Sequence, residues 1–521
     1  MESVQQRAKL HRAIWKIAED LRGSVDGWDF KTYVLGFLFY RFICENLKTY
    51  IKEEFPDVED YSKIEYEQIK SYEDDIIDDK GFFISPEDLF ENILKEIRED
   101  HSKLENLNMR LKEAFDNIEN SCKGKASEDN FKDLFKDKDI DVNSAKLGNS
   151  NIERNKKLLK IMESINALEL DYSNNKIDAF GDAYEFLMMM YASNAGRSGG
   201  EFFTPQEVSR LLVEITLSNK GIPNKVYDPA CGSGSLLLQY KKSLKQDPKL
   251  GYFGQEENIT TYNLARMNMF LHNVGYEKFH IAHGDTLVNP CEKHKNEEPF
   301  DAIVSNPPYS KKWEGKNNPI LINDDRFSRA GVLAPTSKAD LAFVMHILSW
   351  LSEKGSAAIV CFPGVLHRRG AEEKIRGYLV DNNYVDCIIS LSDNLFFGTS
   401  IAVCIMVLRK NKQDNNTLFI NASKEYIKVT NKNMLTEENI QNILSLYKKR
   451  ENIDYLCSLA DKGEIKANNY NLSVSSYIES EDTRQKVDIK SLNKEIEEIV
   501  KRQSELRIQI DSIVMELEKI S

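Results

Sequence analysis

The chain has 521 residues, of which 41% are hydrophobic and 29% charged, proportions that are ordinary for a globular protein with room for two or three domains. Its formal net charge of −13 argues against a protein that binds nucleic acid unaided over a broad surface, because non-specific DNA affinity comes mainly from neutralising phosphates. The eight cysteines and eight histidines show no metal-ligand or disulfide spacing, so we expect no metal site. No apolar run approaches the roughly 20 residues of a membrane span, and the N-terminal residues hold no apolar leader core, so we expect a cytoplasmic protein.

The N-terminal region is predicted to form a helical domain. Apolar residues recur at helical spacing from Leu10 to Leu21, and a second apolar helix is expected between Tyr33 and Leu47. Residues 123–150 are polar and poor in large apolar side chains, which is typical of a domain boundary. We therefore assign residues 1–160 to the helical N-terminal domain.

A glycine-rich loop at residues 196–200 leads towards the next predicted helix. Thr204 is predicted to cap this helix, Pro205 suits its first turn, and Glu207 would complete a capping box. A well-capped helix explains this stretch when it is taken alone. Its position directly before the next motif favours a functional interpretation.

That motif is a short strand that ends at Asp228, a tight loop containing Gly232, Ser233 and Gly234, and a helix that begins near Ser235. The pattern indicates the first β-turn-α unit of a nucleotide-type fold. It lacks the third glycine of a dinucleotide fingerprint and the Lys-Ser/Thr pair of a phosphate loop, so a ligand without phosphates fits better. S-adenosylmethionine is such a ligand, since its methionine part can lie against glycine backbone while Asp228 attracts its ammonium group.

Two further predicted strands also end in an acid. The second strand ends at Glu256, which we prefer over Glu257 as the residue that binds ribose hydroxyls. The third strand, around residues 280–283, is followed by Asp285, which could accept a hydrogen bond from the cofactor's adenine amine. Each acid alone is more simply a turn residue. Three successive strands that end in carboxylates are hard to explain by turn chemistry.

The fourth predicted strand, Phe300 to Val304, runs into a proline-stiffened loop at the strand's carboxyl end, where ligands bind in open α/β sheets. The Asn306 side-chain oxygen and a prolyl carbonyl can both accept hydrogen bonds from one exocyclic amine, which makes its nitrogen a better nucleophile. The Tyr309 ring offers a face on which a base swung out of a duplex can stack. A rigid turn in any α/β protein would explain the four residues alone, but the preceding acids favour a methyltransferase. The predicted catalytic residues are Asn306, Pro307, Pro308 and Tyr309.

Beyond this loop, residues 310–338 are polar and are predicted to form a mobile loop near DNA, with Lys311, Lys312 and Arg326 among their basic side chains. An amphipathic helix is expected from Asp340 to Leu351. Further core strands are predicted over residues 357–362, 385–391 and 401–408.

The tail, about residues 486–521, is predicted to form a helix whose apolar positions follow a 3,4 spacing interrupted only by Gln503. This spacing indicates a coiled-coil seam, which an isolated helix cannot bury, so the tail needs a partner. A self-paired dimer or a second protein would both satisfy the seam. Its residues are Ile489, Leu492, Ile496, Ile499, Leu506, Ile510, Ile513, Leu517 and Ile520.

The chain resembles the modification (M) subunits of type I restriction-modification systems, which are adenine-specific DNA methyltransferases. The resemblance extends over nearly the whole chain. The stretches that carry it are residues 10–43, 200–205, 228–235, 254–256, 284–287, 306–309 and 394–401.

Together with the strand pattern, the resemblance implies an α/β fold with a Rossmann-like S-adenosylmethionine-dependent methyltransferase domain at residues 161–425. A C-terminal extension at residues 426–521 would end in the coiled-coil helix. The resemblance implies that Thr204 and neighbouring Phe203 touch the methionine end of the cofactor. It also implies that Phe396 or Phe397 approaches the target base, without deciding between them.

The resemblance further implies a set of partners. In this family a separate specificity (S) subunit chooses the site on double-stranded DNA, two M subunits assemble with one S subunit, and a restriction (R) subunit joins the complex. The long helices of an S subunit offer a mate for the tail seam. The sequence therefore leaves the DNA recognition site undetermined.

Two other functions are compatible with part of these motifs. A protein glutamine methyltransferase also uses Asn-Pro-Pro-Tyr on this fold, but the long N-terminal domain and the heptad tail count against it. An inactive scaffold that holds a restriction complex together is the second alternative. An inactive scaffold would not need intact cofactor and catalytic motifs. In this chain both motifs are intact, which counts against the scaffold.

Overall fold

The computed structural model describes most of the chain, which divides into two compact units, Met1–Ile478 and Glu479–Ser521. Within the described part, none of the helices combines the length and the apolar character needed to cross a membrane. The described residues are 2–21, 29–136, 140–170, 179–194, 204–218, 221–295, 298–396, 399–430, 432–479 and 489–518.

The N-terminal region is helical, as predicted. Its second helix is buried on nearly all sides between residues 32 and 44, because its apolar side chains are not confined to one stripe and other helices cover each face. The helices are α1 (Glu2–Leu21), α2 (Asp29–Glu54), α3 (Tyr66–Ile69), α4 (Glu73–Lys80), α5 (Phe90–Glu99), α6 (Leu107–Ser121), α7 (Glu128–Phe131) and α8 (Asn151–Asn166).

A nine-stranded sheet forms the centre of the first unit, in the order β11-β8-β6-β7-β5-β4-β1-β2-β3, and a separate hairpin joins β9 to β10. The strands are β1 (Lys225–Asp228), β2 (Gly251–Glu256), β3 (Phe279–His283), β4 (Phe300–Ser305), β5 (Leu351–Cys361), β6 (Val385–Leu391), β7 (Cys404–Arg409), β8 (Asn416–Ala422), β9 (Ile427–Val429), β10 (Lys432–Met434) and β11 (Cys457–Asp461).

The sheet is mostly parallel on the side that carries the predicted site. β1 pairs in parallel with both β2 and β4, β2 pairs in parallel with β3, and β4 with β5. β7 is antiparallel to both of its neighbours, β5 and β6. Because β1 to β4 all run in one direction, their carboxyl ends meet at one edge of the sheet.

Helices cover both faces of the sheet. Successive strand residues point to opposite faces, so Val226 and Val304 belong to one hydrophobic cluster while Tyr227 and Ile303 belong to the other. The first cluster includes α10, α11 and α12, and the second includes α16 and α17. The remaining helices of this unit are α9 (Ala179–Asn194), α10 (Gln206–Leu217), α11 (Ser235–Ser243), α12 (Ile259–Leu271), α13 (Glu292–Lys295), α14 (Pro319–Ile322), α15 (Asp325–Ser328), α16 (Asp340–Trp350), α17 (Ala371–Asp381), α18 (Glu437–Lys449) and α19 (Lys462–Ala467).

The N-terminal helices share the first hydrophobic cluster with the sheet, and α12 makes the connection. The ring of Phe270 on α12 lies 6.0 Å from that of Phe39 and 4.8 Å from that of Phe131, between ring centroids. Beside it, the buried guanidinium of Arg266 donates hydrogen bonds of 3.0–3.2 Å to three backbone carbonyls of residues 129–132. A charged group bound to carbonyls and a cluster of tilted aromatic rings together join the helical region to the sheet.

Two expectations about the region after β4 are wrong. Residues 310–338 are packed rather than loose, since Trp313 and Phe327 are buried against the sheet's second face. α16 is not amphipathic, because every residue except Ser349 is buried. The two findings have one cause: the folded segment covers the side of α16 that would otherwise face solvent.

The sheet continues beyond residue 425, where we predicted that the methyltransferase domain ends. β11, at Cys457–Asp461, pairs antiparallel with β8 and forms the outer edge of the same sheet. Local sequence patterns could not place this strand, because its partner lies about forty residues earlier in the chain and pairing is a long-range contact.

The tail forms one helix, α20 (Ile489–Glu518), and none of its side chains is buried. The described seam residues, from Ile489 to Leu517, are between 46% and 70% exposed. Ile520 lies outside the described residues. The helix prediction is confirmed over the described part, and the apolar seam is available to a partner.

Candidate active site at the carboxyl edge of the sheet

A direct hydrogen bond joins the two motifs that the sequence singled out. Asp228 is the last residue of β1 and Ser305 the last of β4, its neighbour in the sheet. The Ser305 hydroxyl donates to Asp228 Oδ1 at 2.8 Å. The acid before the glycine loop and the residue before Asn306 are therefore in contact, so the two predicted half-sites form one site.

The glycine loop has the backbone that its sequence predicts. Gly232 and Gly234 have φ values of 54° and 77°, in the left-handed region that other residues rarely adopt. A Cβ atom at Gly234 would also lie 3.0 Å from the Met269 side chain. The loop ends where α11 begins, at Ser235. The left-handed backbone conformation is therefore the reason that glycine is favoured at both positions.

Asp228 is fully buried and incompletely bonded. Its Oδ1 accepts hydrogen bonds from the Ala230 N–H at 3.0 Å and from Ser305, while Oδ2 has no partner among the described residues. Burial raises the pKa of Asp228 to about 7, although both hydrogen bonds act in the opposite direction. The hydroxyl oxygen of Ser233 is a second buried atom without a partner in the described structure. A buried carboxylate oxygen left unbonded is a natural partner for a ligand cation.

Glu256 closes the glycine loop from the end of β2. Its two oxygens accept hydrogen bonds from the Gly232 N–H at 3.0 Å and from the Asn258 N–H at 2.8 Å. Burial raises its pKa. The carboxylate therefore positions the loop directly, a role that the sequence did not predict. Glu257, the neighbouring acid, instead forms an ion pair with Lys311.

Asp285 lies beyond the end of β3, as predicted. Its Oδ1 accepts a hydrogen bond from the Leu287 N–H at 2.9 Å, and its carboxylate is 3.8 Å from the Lys311 ammonium. Lys311 thus bridges the ends of β2 and β3. Three carboxylates at consecutive strand ends are brought together at the same edge as the Asn306 loop.

Asn306 has a defined partner at each end of its side-chain amide. Its Nδ2 donates to the Thr204 hydroxyl at 3.1 Å, and its Oδ1 accepts from the Tyr309 hydroxyl at 2.7 Å. Thr204 is only 5% exposed. The predicted capping box is wrong: α10 begins at Gln206, and Pro205, which occupies the N-cap, makes no side-chain capping hydrogen bond. The Thr204 hydroxyl is used by Asn306 instead.

The Asn306 loop is anchored by a residue that sequence reasoning did not single out. Ser310 has a φ of 53°, and its N–H donates to both carboxylate oxygens of Asp340 at 3.2 Å. Asp340 is 5% exposed and stands at the start of α16. The sequence feature that could have indicated this role is an acid at the first position of an apolar helix. Without the fold, that acid reads as an ordinary first-turn residue.

Arg326 does not face DNA, contrary to the prediction. The guanidinium is buried, donates to the Thr286 and Leu287 carbonyls at 2.8 Å each, and pairs with Asp324 at 2.7 Å. The Thr286 hydroxyl in turn donates to the Pro229 carbonyl at 2.6 Å. Arg326 therefore holds the turn that contains Asp285 against the entrance of the glycine loop. A buried arginine saturated by carbonyls and one carboxylate serves structure rather than phosphate binding.

Of the three phenylalanines expected near the target base or the cofactor, the structure describes only Phe396. Phe396 is 1% exposed and packs in the first hydrophobic cluster, so its ring presents no face to a base in this structure. This position counts against Phe396. Phe397 and Phe203 lie outside the described residues, and their roles stay predictions.

Comparison with known proteins identifies the family. The N-6 DNA Methylase family matches residues 175–486, and the HsdM N-terminal domain matches residues 10–165. The chain is 47% identical over 530 residues to the type I restriction enzyme MpnII methylase subunit of Mycoplasma pneumoniae, an alignment that covers 98% of this chain and 97% of that one. The chain belongs to the methylase subunits of type I restriction enzymes.

Solved structures agree with this assignment. The crystal structure of the type I restriction-modification methyltransferase subunit from Streptococcus thermophilus is 34% identical to this methylase subunit. It matches with a TM-score of 0.81 and covers 91% of this chain and 100% of that one. A second solved structure comes from work on the complex assembly of the type I restriction-modification system and is 19% identical to this chain. It matches with a TM-score of 0.63 over 97% of this chain and 99% of that one, and it shows the same fold. The predicted family and fold class are therefore confirmed, and the methylase subunit is a DNA methyltransferase.

Proposed function

We propose that this methylase subunit transfers a methyl group from S-adenosylmethionine to the N6 amine of adenine in duplex DNA. The observation that carries the proposal is the contact between the motifs: Asn306, an acceptor for an amine, follows Ser305, which is bonded to the buried Asp228 carboxylate. This arrangement supports the proposal, because a candidate acceptor for the amine follows a residue that is bonded to a buried carboxylate, whose second oxygen has no partner among the described residues. Adenine specificity is the finer part of the proposal, beyond the DNA methyltransferase activity of the family.

The residues at the edge of the sheet fit the proposed cofactor. Asp228 Oδ2, buried and without a partner among the described residues, would bind the ammonium of the methionine part. Backbone of the glycine loop would lie along that part, and Thr204 and Phe203 would contact its far end. S-adenosylmethionine supplies a methyl group carried on a positively charged sulfur. The cofactor-binding residues we propose are Phe203, Thr204, Asp228, Gly232, Ser233, Gly234, Glu256 and Asp285.

Catalysis would depend on positioning and on activation of the amine. Asn306 Oδ1 and a prolyl carbonyl of the same loop would accept the two amine hydrogens, which directs the nitrogen lone pair towards the methyl group. Pro307 and Pro308 keep the loop rigid, and Asp340 fixes its far end. Tyr309 would stack on the base, with Phe397 as the remaining candidate on its other side.

The proposed partners are an S subunit, a second M subunit, an R subunit and double-stranded DNA. Two properties of the chain support them. Its net charge of −13 leaves much of the phosphate binding to another protein. Its α20 carries a seam of exposed apolar residues on a helix that buries none of them. Both needs are met by a partner that provides basic surface and a long helix.

The test is methyl transfer from labelled S-adenosylmethionine by the chain co-expressed with its S subunit. DNA and a mixture of proteins are offered separately, and Asn306→Ala is the matched inactive control. We expect label in DNA, recovered as N6-methyladenine, with the wild type only. Label on glutamine side chains of the protein sample would establish the alternative methyltransferase. Absence of transfer to either, with cofactor still bound, would establish a scaffold.

A further inference from the structure

The side-chain amide of Asn306 has to be oriented for the proposed reaction. An asparagine amide has two ends of nearly the same size, one an acceptor and the other a donor of two hydrogen bonds. The target amine is itself a donor, so only the orientation with Oδ1 towards it is productive. Rotation of the amide by a half turn would set two donors against each other. A hydrogen-bond partner in the protein therefore has to hold the amide in the productive orientation.

Two hydroxyls are hydrogen-bonded to the amide, and only one of these hydrogen bonds can persist when the target amine binds. Tyr309 donates to the same oxygen that the amine needs, so its hydroxyl has to share that atom or withdraw when a base enters. Thr204 accepts from Nδ2 on the opposite side and does not compete with the amine. Thr204 is therefore the partner that can keep its bond throughout the reaction.

The surroundings of Thr204 make it a stiff support. It is 5% exposed, its β-branched side chain has few rotamers, and Pro205 restricts the backbone conformation of Thr204, the residue before it. Because its oxygen accepts from Asn306, its own proton remains available for an acceptor in the cofactor pocket. The bond also spans 102 residues of sequence, so it links the segment before α10 directly to the end of β4.

We infer that Thr204 is a positioning residue that holds the Asn306 amide with its oxygen towards the target amine. It acts through Asn306, and the inference rests on the proposed function. Removal of its hydroxyl leaves the Nδ2 end without its acceptor and allows the amide to rotate. The loss should appear in the rate of methyl transfer at saturating cofactor, and not in cofactor affinity alone.

The test compares Thr204→Val, which keeps the shape of the side chain without the hydroxyl, with Thr204→Ser, which keeps the hydroxyl. Each variant is purified with the S subunit. Single-turnover transfer to DNA at saturating cofactor, cofactor affinity by calorimetry and the thermal unfolding midpoint are measured. We expect Thr204→Val to transfer about tenfold more slowly, the typical weight of one net hydrogen bond. Thr204→Ser should restore most of the rate, and both variants should melt like the wild type.

Two outcomes would overturn the inference. One is a Thr204→Val rate equal to that of the wild type at saturating cofactor. The other is a loss confined to cofactor affinity, which would make Thr204 a cofactor contact only. A wild type that does not methylate DNA would instead refute the proposed function, so the two failures are distinguishable in the same experiment.

Discussion

The Tyr309 hydroxyl donates a 2.7 Å hydrogen bond to the side-chain oxygen of Asn306. That oxygen is the acceptor that the proposed reaction requires for the target amine. The tyrosine therefore occupies, in this structure, part of the position that the amine would take. Its ring is half-buried and packs against the first hydrophobic cluster. Entry of a base has to displace the hydroxyl from Asn306 or share the oxygen with it.

The first prediction separates the ring of Tyr309 from its hydroxyl. Tyr309→Phe should keep much of the activity, because the stacking face remains and the competing donor is removed. Tyr309→Ala should lose about 5- to 150-fold, since base stacking contributes about 1–3 kcal/mol. Single-turnover rates with saturating DNA decide between them. If the two variants were equally active, stacking would not be the role of the ring.

A second prediction concerns Asn306. Asn306→Ala should reduce methyl transfer by about 10²- to 10³-fold, the usual cost of losing a preorganised polar contact to the reacting group. Cofactor affinity should persist, because the proposed cofactor groups lie mainly on other strands. Asn317→Ala is the matched control, as Asn317 is an exposed asparagine of the following segment. Turnover within about threefold of wild type for Asn306→Ala would refute the assignment.

The third prediction follows from the pKa of Asp228, which burial raises to about 7. The ionised carboxylate binds an ammonium group better than the protonated form does, so S-adenosylmethionine affinity should rise as the pH increases through about 7. Binding near that pH should release a proton. Calorimetry in buffers of different ionisation enthalpy measures the release directly. Asp228→Asn should bind more weakly and lose this pH dependence.

The same shift has a consequence for stability, with a definite sign. The folded-state pKa of Asp228 lies above the ordinary aspartate value of 3.8, so the unfolded chain ionises first as the pH rises. The stabilisation of the fold by this group is complete below about pH 4 and is lost as the pH rises through about 7. In Asp228→Asn the free energy of unfolding should vary less over this range. An unchanged pH profile in the variant would contradict the raised pKa.

A fourth prediction concerns the two acids after β2. Glu256→Ala should weaken S-adenosylmethionine binding by about 10- to 150-fold, because ribose hydroxyls lose a charged acceptor worth about 1.5–3 kcal/mol. Loss of the Gly232 contact adds to the effect through the glycine loop. Glu257→Ala is the matched control, since its carboxylate pairs with Lys311. Calorimetric titration decides the question, and an unchanged affinity in Glu256→Ala would remove it from the cofactor site.

The fifth prediction concerns the tail seam. Deletion of residues 485–521 should leave a chain that binds S-adenosylmethionine but no longer co-purifies with the S subunit. A finer test compares Ile510→Asp, on the predicted seam, with Ile508→Asp, an exposed isoleucine outside it. Only the seam variant should lose the S subunit. Retained co-purification after the deletion would refute the pairing with the S subunit. If the chain alone formed a dimer and Ile510→Asp made it dissociate, the tail would be shown to pair with itself.

The sequence by itself determined the order of the site motifs and the edge at which they meet. Short apolar runs that end at an acid or at the proline loop predicted the strands, the glycines at positions 232 and 234 indicated a tight turn, and prolines indicated a rigid loop after Asn306. These features depend on a few neighbouring residues and on the rule that parallel strands share a carboxyl edge, so they can be read locally. The helix of the tail was predictable for the same reason.

Only the tertiary structure decided which polar partner each side chain uses. Thr204 reads as a helix cap, but it bonds to Asn306 across 102 residues because the hydroxyl is buried against the end of β4. The sequence suggests that Arg326 contacts DNA, but the turn after β3 encloses its guanidinium. The sequence suggests that Asp340 is an ordinary acid of a first helical turn, but its carboxylate anchors Ser310. In each case the residue type allows both roles. Packing between distant segments, which no local pattern encodes, excludes water from these groups and so determines their partners.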